Sequence, residues 1–134
     1  MARSLKALTL LVPSYDEAIA YYTGVLDFAL IEDTDLGHGK RWVLIAPSAD
    51  SPTRLLLAQA ATSEQQAAIG NQAGGRVFLF LHSDSFWDDY LSLQGRGVTF
   101  LEKPRQETYG NVVVFIDRFG NKWDLLGPPG PQPT

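Results

Sequence analysis

The sequence predicts an α+β protein in which a βαβββ unit occurs twice. Three observations lead there. An apolar strand, Leu5 to Val12, is stopped by Pro13 and followed by a capped amphipathic helix. The same strand–helix pattern returns about seventy residues later, the kind of internal period that is sought before any short motif. The chain then closes on a hairpin, Val112–Ile116 and Lys122–Leu126, around Asp117-Arg118-Phe119-Gly120-Asn121.

Each element has its own reason. In the first strand, Leu8, Leu10 and Val12 share one face, and Ala7, Thr9 and Leu11 the other. Ser14 with Glu17 has the spacing of a capping box. Ala18, Tyr21, Tyr22, Val25 and Leu26 then form the apolar stripe of a helix over 16–25. At its end Asp27 can take a left-handed cap, though less cheaply than glycine. Phe28–Glu32, Arg41–Ala46 and Arg54–Gln59 read as strands, separated by a loop over 33–40 and a polar turn over 47–52. Thr62 with Gln65 opens a short helix to Ile69, and Gly70–Gly75 is a glycine-rich linker.

The second unit follows the same order. Val77–Leu81 matches the end of the first strand, Ser85–Gln94 matches the first helix, and Gly97-Val98 matches Asp27-Phe28. Val98–Leu101 is a strand, Lys103-Pro104 begins a loop, and the closing hairpin matches the last two strands of the first unit. The expected organisation is a single domain over 1–134. It has module one at about 4–60, a linking helix and loop at 61–75, module two at about 76–127 and a Pro/Gly-rich tail at 128–134.

Composition narrows the function classes. With 134 residues, the chain has room for one domain with a real core. A 45% hydrophobic and 19% charged composition suits a globular protein. The net charge is −4 and no Lys/Arg cluster occurs, which argues against nucleic acid or an anionic membrane as partner. Without cysteine there is neither a disulfide frame nor a thiolate metal site. The apolar N-terminal run is too short to span a bilayer and lacks a cleavage pattern, so a cytoplasmic location is expected.

The closing hairpin carries a resemblance. Tyr109-Gly110, Phe115-Ile116-Asp117 and Gly120-Asn121-Lys122-Trp123-Asp124-Leu125 resemble the vicinal oxygen chelate superfamily, which contains glyoxalases, bleomycin-resistance proteins and extradiol dioxygenases. Arg118 stands where the family usually has proline, and Asp27 where it usually has glycine. The resemblance covers roughly residues 4–127 and implies two modules whose strands form a curved mixed sheet around a cleft. It also implies a divalent metal held by His, Gln or Glu at four strand positions in many members. Here those positions fall on Ala7, on Leu57 or Gln59, on Arg76 and on Asp124. Alanine donates nothing and arginine repels a cation, so no metal and no other cofactor is expected. His38 and His82 read as ordinary surface histidines.

By strand parity Arg76, Phe78 and Phe80 share the metal-site face of module two, and Thr9 lies on that of module one. Trp42 and Tyr109 add aromatic surface, and Gln59 and Asp124 add polar groups. Such a cup is either a small-molecule site or simply a filled core. The reading is a homodimeric small-molecule-binding protein of the bleomycin-resistance type that works without metal. The alternatives are a lyase, isomerase or dioxygenase relative with Asp124 as base, Tyr109 as acid and Arg76 as anion stabiliser, and an accessory subunit without ligand. An Arg76–Asp124 ion pair is expected in place of the metal, either as structure or as a dock for a ligand's carboxylate or phosphate.

Overall fold

Two compact units, Met1–Ile69 and Gly70–Thr134, make up the chain, and the computed structural model describes all residues, 1–134. Unit one runs β1 (Ala7–Val12), α1 (Tyr15–Gly24), β2 (Ala29–Gly37), β3 (Lys40–Ala46), β4 (Arg54–Gln59) and α2 (Ser63–Ala68). Its sheet has the order β1-β4-β3-β2, with β1 parallel to β4 and the other pairs antiparallel. Unit two runs β5 (Leu79–His82), α3 (Phe86–Gly95), β6 (Thr99–Phe100), β7 (Arg105–Glu107), β8 (Gly110–Ile116) and β9 (Lys122–Gly127). Its order is β5-β9-β8-β6, with β7 also on β8 and β5 parallel to β9. This is the α+β arrangement of two βαβββ units that the repeat predicts.

The period-two pattern of each strand decides which face is covered. In unit one the register pairs Leu10 with Leu57 and Val43 with Leu57. These residues, with Val12, Ile45 and Leu55, are buried on the side of the sheet that shares their parity. Tyr15, Ala18 and Tyr22 are the buried residues of α1. The expected capping box begins α1, because Ser14 Oγ accepts from the Glu17 N–H at 3.3 Å. Asp27 has φ 61, so it does hold the left-handed position. In unit two the corresponding face joins Trp123, Leu125, Val113 and Phe115, with Phe115 stacked on Trp123 at 5.7 Å. Phe86 and Leu93 are the buried residues of α3. Ser85, at its N-cap, makes no side-chain capping bond.

Three sequence expectations need correction. The segment 33–40 is not a loop, since β2 continues to Gly37 and pairs Thr34 with Trp42 and Gly37 with Lys40. The turn is only His38-Gly39, at φ 55 and 79, the left-handed pair that a tight two-residue hairpin requires. The acidic composition concealed a strand edge. Second, the strand expected from Val77 begins at Leu79, because the Arg76 N–H turns back to Ala73 O and leaves the ladder. Third, β7 lies where a loop was expected after Pro104. Glu107 pairs with Gly110 around Thr108-Tyr109, so Arg105 and Glu107 stand on the same side of the ribbon.

Candidate functional site

The face of the unit-two sheet turned away from Trp123 and Leu125 is built by register. Phe80 on β5 lies opposite Asp124 on β9, and Asp124 lies opposite Val114 on β8. A carboxylate thus stands on an apolar floor between an aromatic and an aliphatic side chain. Phe80 is 64% exposed, so a large aromatic surface meets solvent beside it. One oxygen of Asp124, Oδ1, is buried with no hydrogen-bond partner. Burial pushes this carboxyl above the ordinary carboxylate range, Arg105 pulls it back, and Glu102 raises it further.

Arg105 is already engaged. Its Nε donates to both Glu102 oxygens at 3.0 and 3.1 Å, and its terminal nitrogen to Glu107 at 2.7 Å. Glu102 also accepts from the Val114 N–H at 3.2 Å, which fixes this network to β8. The network escaped the sequence reading. Its signal was the charge alternation Arg105-Gln106-Glu107, which places both charges on one side once the segment is recognised as a strand.

The Arg76–Asp124 ion pair is a further correction. Arg76 lies outside β5, exposed, and the β5 residue beside Asp124 is Phe80. Arg76 precedes the point where the β5 ladder begins, so the metal position of that strand does not fall on it. Tyr109 precedes the first residue of β8, far along that strand from Val114, and is 66% exposed in the turn. Asp124, Tyr109 and Arg76, the three catalytic candidates, are therefore not brought together. Phe78 continues the Phe80 side, and its N–H donates to Lys122 O at 2.8 Å.

In unit one Thr9 pairs with Leu56 and is exposed; Trp42, toward the start of β3, is 37% exposed. Gln59 and Leu57 have the parity of Val12 and Leu10, so both lie on the side opposite Thr9. That corrects the placing of Gln59 among the ligand contacts. The charged β4 residue on the Thr9 side is Arg54, paired with Ala7, and its buried Nε has no partner. A single arginine opening an otherwise apolar strand was the available signal.

These donors do not fit a transition-metal centre. Of Ala7, Leu57, Gln59, Arg76 and Asp124, only Asp124 offers an anionic ligand, and no three His, Asp or Glu side chains within either unit gather around a common point. His38 sits in the β2–β3 turn, and His82 ends β5 with Nδ1 3.8 Å from the exposed Asp84.

Two concavities lie elsewhere. One of about 460 Å³ is lined by Asp33, Asp35, His38 and Arg41, but Arg41 is committed to Asp16 and Asp33 at 2.8 and 2.7 Å. The other, about 320 Å³, is lined by Ser85, Trp87, Asn111 and the C-terminal prolines. There the Asn111 amide donates to Pro128 O and Gly130 O, and Trp87 Nε1 to Gly130 O, strapping the tail onto α3.

The β8–β9 turn, which carries the familiar Asp–x–x–Gly–Asn phrase, is a buried polar knot. Asp117 is 5% exposed. Its carboxylate accepts from the N–H groups of Phe119 and Asn121, from the Asn121 amide and from Trp123 Nε1 at 3.0 Å. A Cβ on Gly70 would lie 2.7 Å from Phe119 O, so that glycine lets the preceding segment approach the turn.

With this geometry in place, the chain belongs to the Glyoxalase/Bleomycin resistance protein/Dioxygenase superfamily, whose model matches residues 4–125. It is similar to an uncharacterised protein of Shewanella frigidimarina (strain NCIMB 400), with 48% identity over 99% of each chain. Among solved structures it resembles UcmS2 (TM-score 0.80, 27% identity, covering 94% of this chain and 98% of that one). It also resembles TnmS3, described as an antibiotic binding protein from Streptomyces sp. CB03234 (TM-score 0.76, 27% identity, covering 96% and 98%). No helix is long and apolar enough to cross a membrane.

Proposed function

We propose that this protein binds a small organic molecule on the Phe80–Asp124–Val114 face of unit two, without a metal, and acts as a cytoplasmic homodimer. The observation that carries the reading is the part-exposed Asp124 carboxylate directly across from the exposed Phe80 ring. An apolar surface with a few convergent polar groups is what a small-molecule site requires. The likeness to TnmS3 supports an antibiotic or a compound of similar build as ligand. Metal independence rests on the single anionic donor among the expected ligand positions. The dimer rests on the outer strands of each sheet, β1 and β2 in one and β5 and β6 in the other, whose free edges suit pairing between copies.

A thermal-shift screen against antibiotics and aromatic metabolites tests the binding. A ligand at one hundred times its Kd raises stability by about 2.7 kcal/mol, a shift of several degrees for a chain of this size. A screen in which no compound shifts Tm, with and without added zinc, nickel or iron, would discard the reading. A hit that requires metal would discard its metal-independent part. Light scattering should return twice the 14.8 kDa chain mass.

A further inference from the structure

We infer that the ligand of this face carries a protonated amine next to an aromatic ring; the inference rests on the small-molecule reading above. Three observations define that chemistry. The polar group beside the Phe80 ring is a part-exposed carboxylate, Asp124, so the ligand must bring the donor. The surrounding charge is negative and locally uncompensated. Glu102 and Arg105 are the charges that act on Asp124, and the contacts of Arg105 are already directed at Glu102 and Glu107. Lys122 Nζ donates to Gly75 O at 3.1 Å, and Arg76 lies outside the strand that borders Asp124. An anionic ligand would therefore meet the Asp124 carboxylate with Glu102 nearby and Arg105 already committed, the reverse of the Arg76 dock expected from sequence. Finally, the exposed Phe80 ring stands directly across from Asp124, so one compact ligand can stack a ring on Phe80 while its ammonium reaches the carboxylate.

Unlike the thermal screen, which accepts a ligand of any charge, the test compares three probes with one ring and different charge: 1-naphthylmethylammonium, 1-naphthylmethanol and 1-naphthylacetate. Each is titrated into the isotope-labelled full chain while amide resonances are followed. The ammonium probe should shift the amides of Phe80, Val114 and Asp124 and bind about tenfold or more tightly than the acetate. Its advantage should shrink with added salt. In Asp124→Asn, which removes the charge and keeps the shape, the ammonium should bind no better than the alcohol, in a protein whose remaining spectrum is unchanged. Arg76→Ala should leave all three affinities within about twofold. Acetate binding as tightly as the ammonium, or an ammonium affinity indifferent to Asp124→Asn, overturns the inference. If that happens while the alcohol or acetate still shifts the Phe80 face, the small-molecule reading stands and only the charge assignment falls. An ammonium probe that shifts none of these amides overturns the inference as well, and an empty thermal screen alongside it removes the reading beneath it.

Discussion

The two units share a strand order and a ten-residue helix after the first strand, yet they place their polar groups differently. Unit one pairs Arg41 at the rim and leaves a donor, Arg54 Nε, buried without a partner. Arg41 joins β3 to Asp33 of β2 and Asp16 of α1, with its guanidinium 5.2 Å from the Tyr15 ring centroid. Its turn between β3 and β4 is held by bonds near the surface, such as Ser48 to Asp50. Unit two buries the equivalent turn around Asp117 and leaves an acceptor, Asp124 Oδ1, buried without a partner. The difference teaches that the repeated architecture fixes neither where the polar energy lies nor what sign a face presents.

The sharpest way to break the comparison is Asp117→Ala. It strands several donors beneath a buried turn and should cost about 3–5 kcal/mol in urea unfolding. The unit-one counterpart, Asp50→Ala, sits at the surface and should stay within about 0.5 kcal/mol. Equal losses would show that the Asp117 knot is no more important than an ordinary loop contact. The helix starts differ next. Ser14→Ala removes a formed cap and should cost about 1 kcal/mol, whereas Ser85→Ala removes no capping bond and should cost close to nothing. A larger loss at Ser85 would contradict the asymmetry.

Smaller again is the exchange at the helix ends. Asp27 and Gly97 occupy matched left-handed positions at φ 61 and 87. Asp27→Gly should gain about 0.5–1 kcal/mol and Gly97→Asp should lose about 1, read from the same urea midpoints. The smallest effect is in pH. The hydrogen bond from Arg41 holds the Asp33 carboxyl below the ordinary range, so its stabilisation is present above the unfolded value and fades as pH falls through the folded one. Asp124 is the reverse: its folded value is raised, so its contribution is full in acid and fades as pH rises. Between about pH 3 and pH 7, Asp33→Asn should lose Tm relative to the native chain as pH rises, and Asp124→Asn should gain it. Parallel curves for the two variants would refute the contrast.

Much of this was legible in the residues. Helix starts at Ser14 and Thr62, the left-handed residues Asp27 and Gly97, and the closing hairpin all depend on neighbours in sequence, and each appears where spacing put it. What sequence misplaced depends on partners across a sheet. The identity of the residue beside Asp124 is set by where β5 starts pairing, which Arg76 and Val77 do not reveal by themselves. Gln59 went to the wrong face because two residues of one parity were weighed without the register that shows which parity is covered. Glu102 and Arg105 were invisible as a site because their ribbon reads as a polar loop until β8 supplies its hydrogen bonds.

The Asp117 turn also separates two kinds of information. The phrase by which the chain is recognised describes how a hairpin closes; its carboxylate is fully occupied by its own backbone and by Trp123. Asp124, a few residues on, belongs to the opposite face and to other neighbours. A change at Phe80 or Arg105 therefore leaves the signature turn intact, because neither residue contributes to its hydrogen bonds. An engineer can use the same independence: Phe80 and Arg105 can be recoded, and that face altered, in a chain that still carries the recognisable phrase.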